Sequence, residues 1–185
     1  NVRRTLRALR GGRKLIRILI DRTNGINSRN EMNVIRRNAV RAIIKRDNHY
    51  LMVLSKKNGD YKFPGGGIEE NESNENALIR EVEEETGYLI SQISKEVMIV
   101  DEVQPDSKNN ENIFHMKSIY YLCTIENEKK KQKLDEYEKA LGFEAKWINI
   151  DEALESNKLA IKNENSSKWI EREIRVLEKL KELVI

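Results

Sequence analysis

Apolar residues recur along this chain in two different rhythms. β-rich runs of period two or of unbroken hydrophobicity read as strands: "KLIRILID", "NAVRAIIK", "YLMVLS", "EVMIVDEV", "NIFHMKSIYYLCTI" and "FEAKWINI". The second and third are joined by "RDNH", which predicts a hairpin, and "NGDYKF" turns into a further short strand that enters "PGGG". Helical spacing follows, with Ser73 as N-cap, Ala77, Leu78 and Val82 as apolar positions, and Gly87 as the stop. "DEALESN" predicts a short helix opened by Asp151, and Ile170, Ile174, Leu177, Leu180 and Val184 form the stripe of a last helix that packs on the sheet. Polar loops are expected at "RTNGINSRNE", turning at Asn24-Gly25, and around Pro105, while "ENEKKKQKLDEYEK" reads as a surface excursion. The pattern is α+β: a mixed sheet with segregated helices, layered as an α/β/α sandwich.

The chain has 185 residues, enough to bury a core without disulfides or structural metal. The lone cysteine, Cys123, lies in the apolar run "IYYLCTI" and is read as packing, in keeping with a reducing, cytoplasmic setting. No apolar run approaches the roughly 18 residues of a membrane span, and "KLIRILI" is too short and too charged for a signal core. No membrane partner is expected.

Net charge is +3, but residues 1–46 hold twelve Arg and two Lys against Asp21 and Glu31, which leaves −9 for the remainder. The composition divides the chain into a basic N-terminal extension with a short strand, 1–30, and a domain over 31–185. The basic start is read as a solvated extension whose loss the fold tolerates, and nucleic acid is not expected as a partner; a homodimer is compatible with the reading. His49 in the hairpin turn and His115 on a strand are read as structural or solvated.

The chemistry concentrates in "PGGGIEENESNENALIREVEEETGY", residues 64–88, with eight carboxylates and one basic residue. On a helix Glu81, Glu84 and Glu85 share one arc of about 100°, beside an arc of Leu78, Ile79 and Val82 that can face the core. Like charges at that spacing repel, and a hard cation such as Mg2+ would reverse the sign. Removing the charge of Glu85 is therefore expected to leave metal-free stability unchanged or slightly higher. Gly65, Gly66 and Gly67 allow a backbone that brings a carbonyl to a metal or amides to a phosphate. Arg80 can pair with Glu84 one turn on or with Glu72 at the helix start.

The register of these residues is more specific than any of them. Gly66, five residues, Glu72, seven residues, Arg80-Glu81, aliphatic Val82, one residue, Glu84-Glu85, one residue and Gly87 together resemble the signature of the Nudix hydrolase (MutT-like) superfamily. Chance agreement at that many fixed positions is on the order of one in a million. Tyr88 stands where the family usually has an aliphatic residue, and Asn71 where a glycine is common.

The resemblance implies a Nudix-type α/β/α sandwich with a mixed β-sheet. It further implies a pyrophosphatase that hydrolyses the diphosphate of a small nucleoside diphosphate derivative with Mg2+ or Mn2+. By position, Glu81, Glu84 and Glu85 are the implied metal ligands with the Gly65 carbonyl as an extra, and Glu72 and Arg80 the supporting pair. The general base comes either from the box, as Glu81, or from the later acidic region, where Glu138 is favoured over Glu136 and Glu144. The other function carried by this reading is a Nudix-fold regulatory module that binds nucleotide or nucleic acid. Pro105 lies 17 residues past Tyr88, near but not at the position of a proline frequent in ADP-ribose hydrolases, and nothing marks an oxidised-nucleotide pocket, so the resemblance leaves the substrate open between nucleotide-pool cleaning and an ADP-ribose-like compound.

Overall fold

The expected hairpin forms and then divides. In a computed structural model, which describes residues 15–23, 33–109 and 111–183, β2 (Val34–Arg46) and β3 (His49–Ser55) pair only at Lys45–Tyr50 and Arg46–His49. Asp47 makes the turn with φ 52°. Away from the turn β2 runs parallel to β6 (Ile113–Lys129), whereas β3 pairs antiparallel with β4 (Asp60–Lys62) and β7 (Phe143–Asn149). β6 is antiparallel to β5 (Tyr88–Pro105), and β5 is parallel to the short strand β1 (Ile16–Asp21). Seven described strands thus form one mixed sheet.

Continuous apolar runs become strands buried on both sides. Along β2, Val40, Ala42 and Ile44 face one helix, α1 (Asn74–Thr86), through Ala77, Leu78 and Val82. Ile43 faces the other way, where α3 (Ile150–Ala160) and α4 (Ile170–Leu183) bring Leu154, Val176, Leu177 and Leu180 onto Met98, Val100, Tyr120 and Leu122. The arrangement is α+β, with helices on both faces of the sheet. Among the described residues no helix is long and apolar enough to cross a membrane.

Several expectations need correcting. Ile79 does not join the core; it is 39% exposed, because the core arc of α1 is centred on Leu78 and Val82. Asn149, not Asp151, caps α3: its side chain accepts from Asp151 N at 2.8 Å. β5 and β6 are longer than their hydrophobic runs, since the ladder between them continues past the buried section with register shifts between Tyr88 and Met98. The charged stretch from Glu126 is not one excursion: it finishes β6, then forms α2 (Glu136–Leu141) behind an Asp135 capping box. The Arg-rich start over residues 1–14, the turn at Asn24-Gly25 and Val184 lie outside the described residues.

Candidate functional site

The glycine loop lies along β2 almost as another strand. Val40 N donates to Gly66 O at 3.0 Å, Ala42 N to Pro64 O at 2.8 Å, and Ile68 N to Asn38 O at 3.1 Å. That closeness excludes side chains. Gly65 has φ 138°, and a Cβ there would collide with the Val40 carbonyl. A Cβ on Gly66 would collide with the Glu81 carboxylate, so that carboxylate rests directly on the loop backbone.

α1 delivers the acids because its ends are fixed. Ser73 accepts from Asn76 N at 3.2 Å, and Gly87 closes the helix with φ 78°, donating to Glu83 O. Arg80 satisfies both pairings open to it. It grips Glu72 with two bonds of 2.9 Å, donates to Glu81 at 2.8 Å, and reaches Glu84 at 3.4 Å and the Gly67 carbonyl at 3.2 Å. The guanidinium lowers the Glu72 pKa through hydrogen bonding. The Glu81 pKa is raised, by burial first and by the Glu85 charge second, with Arg80 opposing. An open groove of about 400 Å³ beside Glu72, Arg80 and Glu84 gives access from solvent.

Glu85 behaves differently from its neighbours. It is 1% exposed, and its carboxylate accepts from Gly65 N at 2.9 Å and from the Lys62 ammonium. Lys62 also donates to the Gly65 carbonyl at 3.2 Å, which Arg41 contacts as well. Gln132, in the segment before α2, donates to the Glu85 carbonyl.

α2 brings Glu138 toward the same centre. Its backbone N–H donates to Asp135 at 2.7 Å and its carboxylate accepts from Asp135 N at 2.9 Å. Burial pushes the Glu138 carboxyl up to about 7; the Glu85 charge adds to the rise and Lys62 opposes it. Glu136 instead pairs with Lys139 at 2.7 Å, and Glu144 with Lys56 at 3.0 Å and Lys146 at 3.4 Å, both on the surface. His115 bridges Arg36 and Asp101 at 2.7 Å each, and His49 is exposed at the start of β3.

Lys62 and Arg41 were not singled out in the sequence. Each was detectable as a lone cation within an otherwise apolar strand run, "YKF" and "AVRAII", where a charge must find a partner.

Glu81, Glu84 and Glu85 with the Gly65 carbonyl offer oxygen donors only, which suits Mg2+ or Mn2+. Two of these donors already hold a cation, the Lys62 ammonium, which is consistent with such a fit. Among the described residues no three acidic, histidine or cysteine side chains converge as a ready-made metal cluster.

A family model described as "NUDIX domain" matches residues 35–172. An ADP-ribose pyrophosphatase of Methanocaldococcus jannaschii is 43% identical over 54 residues, 28% of this chain and 32% of that protein. The matched stretch therefore spans about a third of that relative's length. Among solved structures, a NUDIX hydrolase from Nitrosomonas europaea is 22% identical with a TM-score of 0.49, covering 76% of this chain and 87% of that one. A MutT NUDIX hydrolase from Burkholderia pseudomallei is 22% identical with a TM-score of 0.48, covering 63% of this chain and 85% of that one.

Proposed function

Because the chain belongs to the NUDIX domain family, a family of hydrolases, we propose that it cleaves the diphosphate of a nucleoside diphosphate derivative by attack of water on phosphorus, with Mg2+ or Mn2+. The observation that carries this reading is the gathering of box carboxylates around the glycine loop, with Glu81 resting on Gly66 and Glu85 tied to the Gly65 N–H. When bound, a divalent ion would offset charge developing on phosphate oxygens. Glu81, Glu84, Glu85 and the Gly65 carbonyl would hold it.

The chain's own part is positioning and proton transfer. Arg80 and Glu72 lock α1 to the loop, so the donor oxygens stay aimed at one side of the helix. Glu138 takes the proton from the attacking water. A carboxylate at about 7 is matched to that task, basic enough to accept the proton and ionised just above neutrality. Glu81 is the second candidate base, but its carboxylate is engaged by Arg80.

ADP-ribose is the first substrate to test, on the strength of the partial likeness to an ADP-ribose pyrophosphatase. A reducing, cytoplasmic setting is part of the proposal: Cys123 is a buried free thiol whose pKa burial pushes up to about 12, unsuited to nucleophilic work. The test is phosphate release, after phosphatase coupling, from a panel of nucleoside diphosphate derivatives with Mg2+, with Mn2+ and with EDTA. Turnover is expected only with metal and is expected to rise through neutral pH. Tight binding of the panel with no turnover under any metal would favour the regulatory-module reading.

A further inference from the structure

We propose that Lys62 is a built-in counter-ion that a divalent cation must displace from the box, so that this lysine sets the protein's affinity for metal. The inference rests on the metal-dependent reading above. Lys62 is 8% exposed and Glu85 1% exposed, so the two charges are held away from water. A buried carboxylate without a cation is costly, and Lys62 removes that cost in the metal-free chain.

The same contacts put Lys62 where a metal would have to go. A carbonyl oxygen has two acceptor positions. At Gly65 these are taken by Arg41 and Lys62. An ion reaching the Gly65 carbonyl must take one of these two positions, and Lys62 is the cation that also lies on the Glu85 carboxylate the ion would bind.

Of the cations around the box, Lys62 is the one that sits on both the Gly65 carbonyl and Glu85; Arg41 reaches the carbonyl but has no hydrogen bond to Glu85. Arg80 is fixed by its fork onto Glu72, whereas a lysine ammonium sits on a flexible four-carbon stem. The ammonium is also bordered by two aromatic rings, contacts that favour keeping a cation nearby. It lies 5.1 Å from the centre of the Phe143 ring and 5.9 Å from that of Trp169. Trp169 is anchored by its Nε1–H to Asp60 at 2.7 Å, so this aromatic seat is fixed.

Mn2+ titration of the full chain, followed by the electron spin resonance of free Mn2+, tests the exchange. Lys62→Met is expected to bind Mn2+ about tenfold more tightly than the native chain, and Lys62→Gln, which keeps a neutral donor beside Glu85 and so protects folding, should shift in the same direction. Equal or weaker binding by the folded variants overturns the inference and leaves the metal reading intact. Failure of the native chain and of both variants to bind Mn2+ overturns the two together. A measurement on the native chain needs no variant: acylation of Lys62 by acetic anhydride, quantified by mass spectrometry against exposed Lys139, should increase when Mn2+ is added. An unchanged or lower yield at Lys62 also overturns the exchange.

Discussion

Two clusters of charge lie on this sheet, and they are built on opposite principles. Beneath α4, Arg172 donates to Glu102 at 2.9 Å and to Glu173 at 3.0 Å, while Arg22 reaches Glu102 at 3.4 Å and Glu171 at 2.9 Å. Tyr120 Oη–H and Phe63 N complete the acceptors of Glu173, at 3.2 and 3.1 Å. There three carboxylates meet two arginines. At the box five carboxylates, Glu72, Glu81, Glu84, Glu85 and Glu138, lie about three cations, Arg80, Lys62 and Arg41. The first cluster is nearly neutral and has its polar atoms matched, which is what a sheet–helix junction requires. The second carries an excess of negative charge that the fold does not cancel. On the proposed function the difference separates charge kept for cohesion from charge available to a ligand, and the two regions meet at the turn Phe63–Gly65, gripped by Glu173 on one side and Glu85 on the other.

The largest expected effect comes from Glu85→Gln. Turnover should fall on the order of 10²–10³, because the proposed ligand oxygen and its charge are lost. Stability should fall as well, by about 3 kcal/mol, because Lys62 is left buried without its partner. This reverses the expectation from like-charge spacing alone, which counted Glu81 as the neighbour that matters and did not include Lys62. Metal-free stability equal to or above that of the native chain, read by urea unfolding in EDTA, would break the assignment.

Glu138→Gln should lower turnover on the order of 10² and flatten its rise through neutral pH. The stability effect has the opposite sign. A carboxyl held at about 7 in the folded state and at its ordinary value when unfolded is protonated only in the folded state between those two pH values. Native stability from this group therefore declines as pH rises across that window, and Glu138→Gln should remove the decline. Melting curves at pH 4, 6 and 8 check both the sign and the window.

Glu102→Gln sharpens the comparison from the other side. It should cost about 2 kcal/mol by loosening Arg172 and Arg22, with kcat at a temperature well below melting changed by less than about threefold. A loss of turnover comparable to that of Glu85→Gln would mean the two clusters are one machine. Glu83→Gln serves as the control within the box, since Glu83 turns away to Lys133 at 3.0 Å; turnover and melting temperature should stay within measurement error. Smallest of all should be removal of residues 1–14, ahead of β1 at Ile16, with both clusters and turnover retained.

The sequence alone determined what is local or periodic. The α1 caps at Ser73 and Gly87, the core stripe of α4 and the pairing of Arg80 with Glu72 were legible because each depends on residues within about two turns of one another. The family register was legible for the same reason, being one continuous stretch. Only the tertiary structure decided which acids are equivalent. Glu84 and Glu85 are neighbours in sequence, yet one stays partly open to solvent and the other is sealed against Lys62, 23 residues away in the chain. Glu138 was favoured over Glu136 and Glu144 in the sequence, but only the fold half-buries it on α2 within reach of the Glu85 charge while the other two stay on the surface. The physical reason is that ionisation and pairing depend on burial and on charges brought close by the fold, and neither is encoded in spacing along the chain.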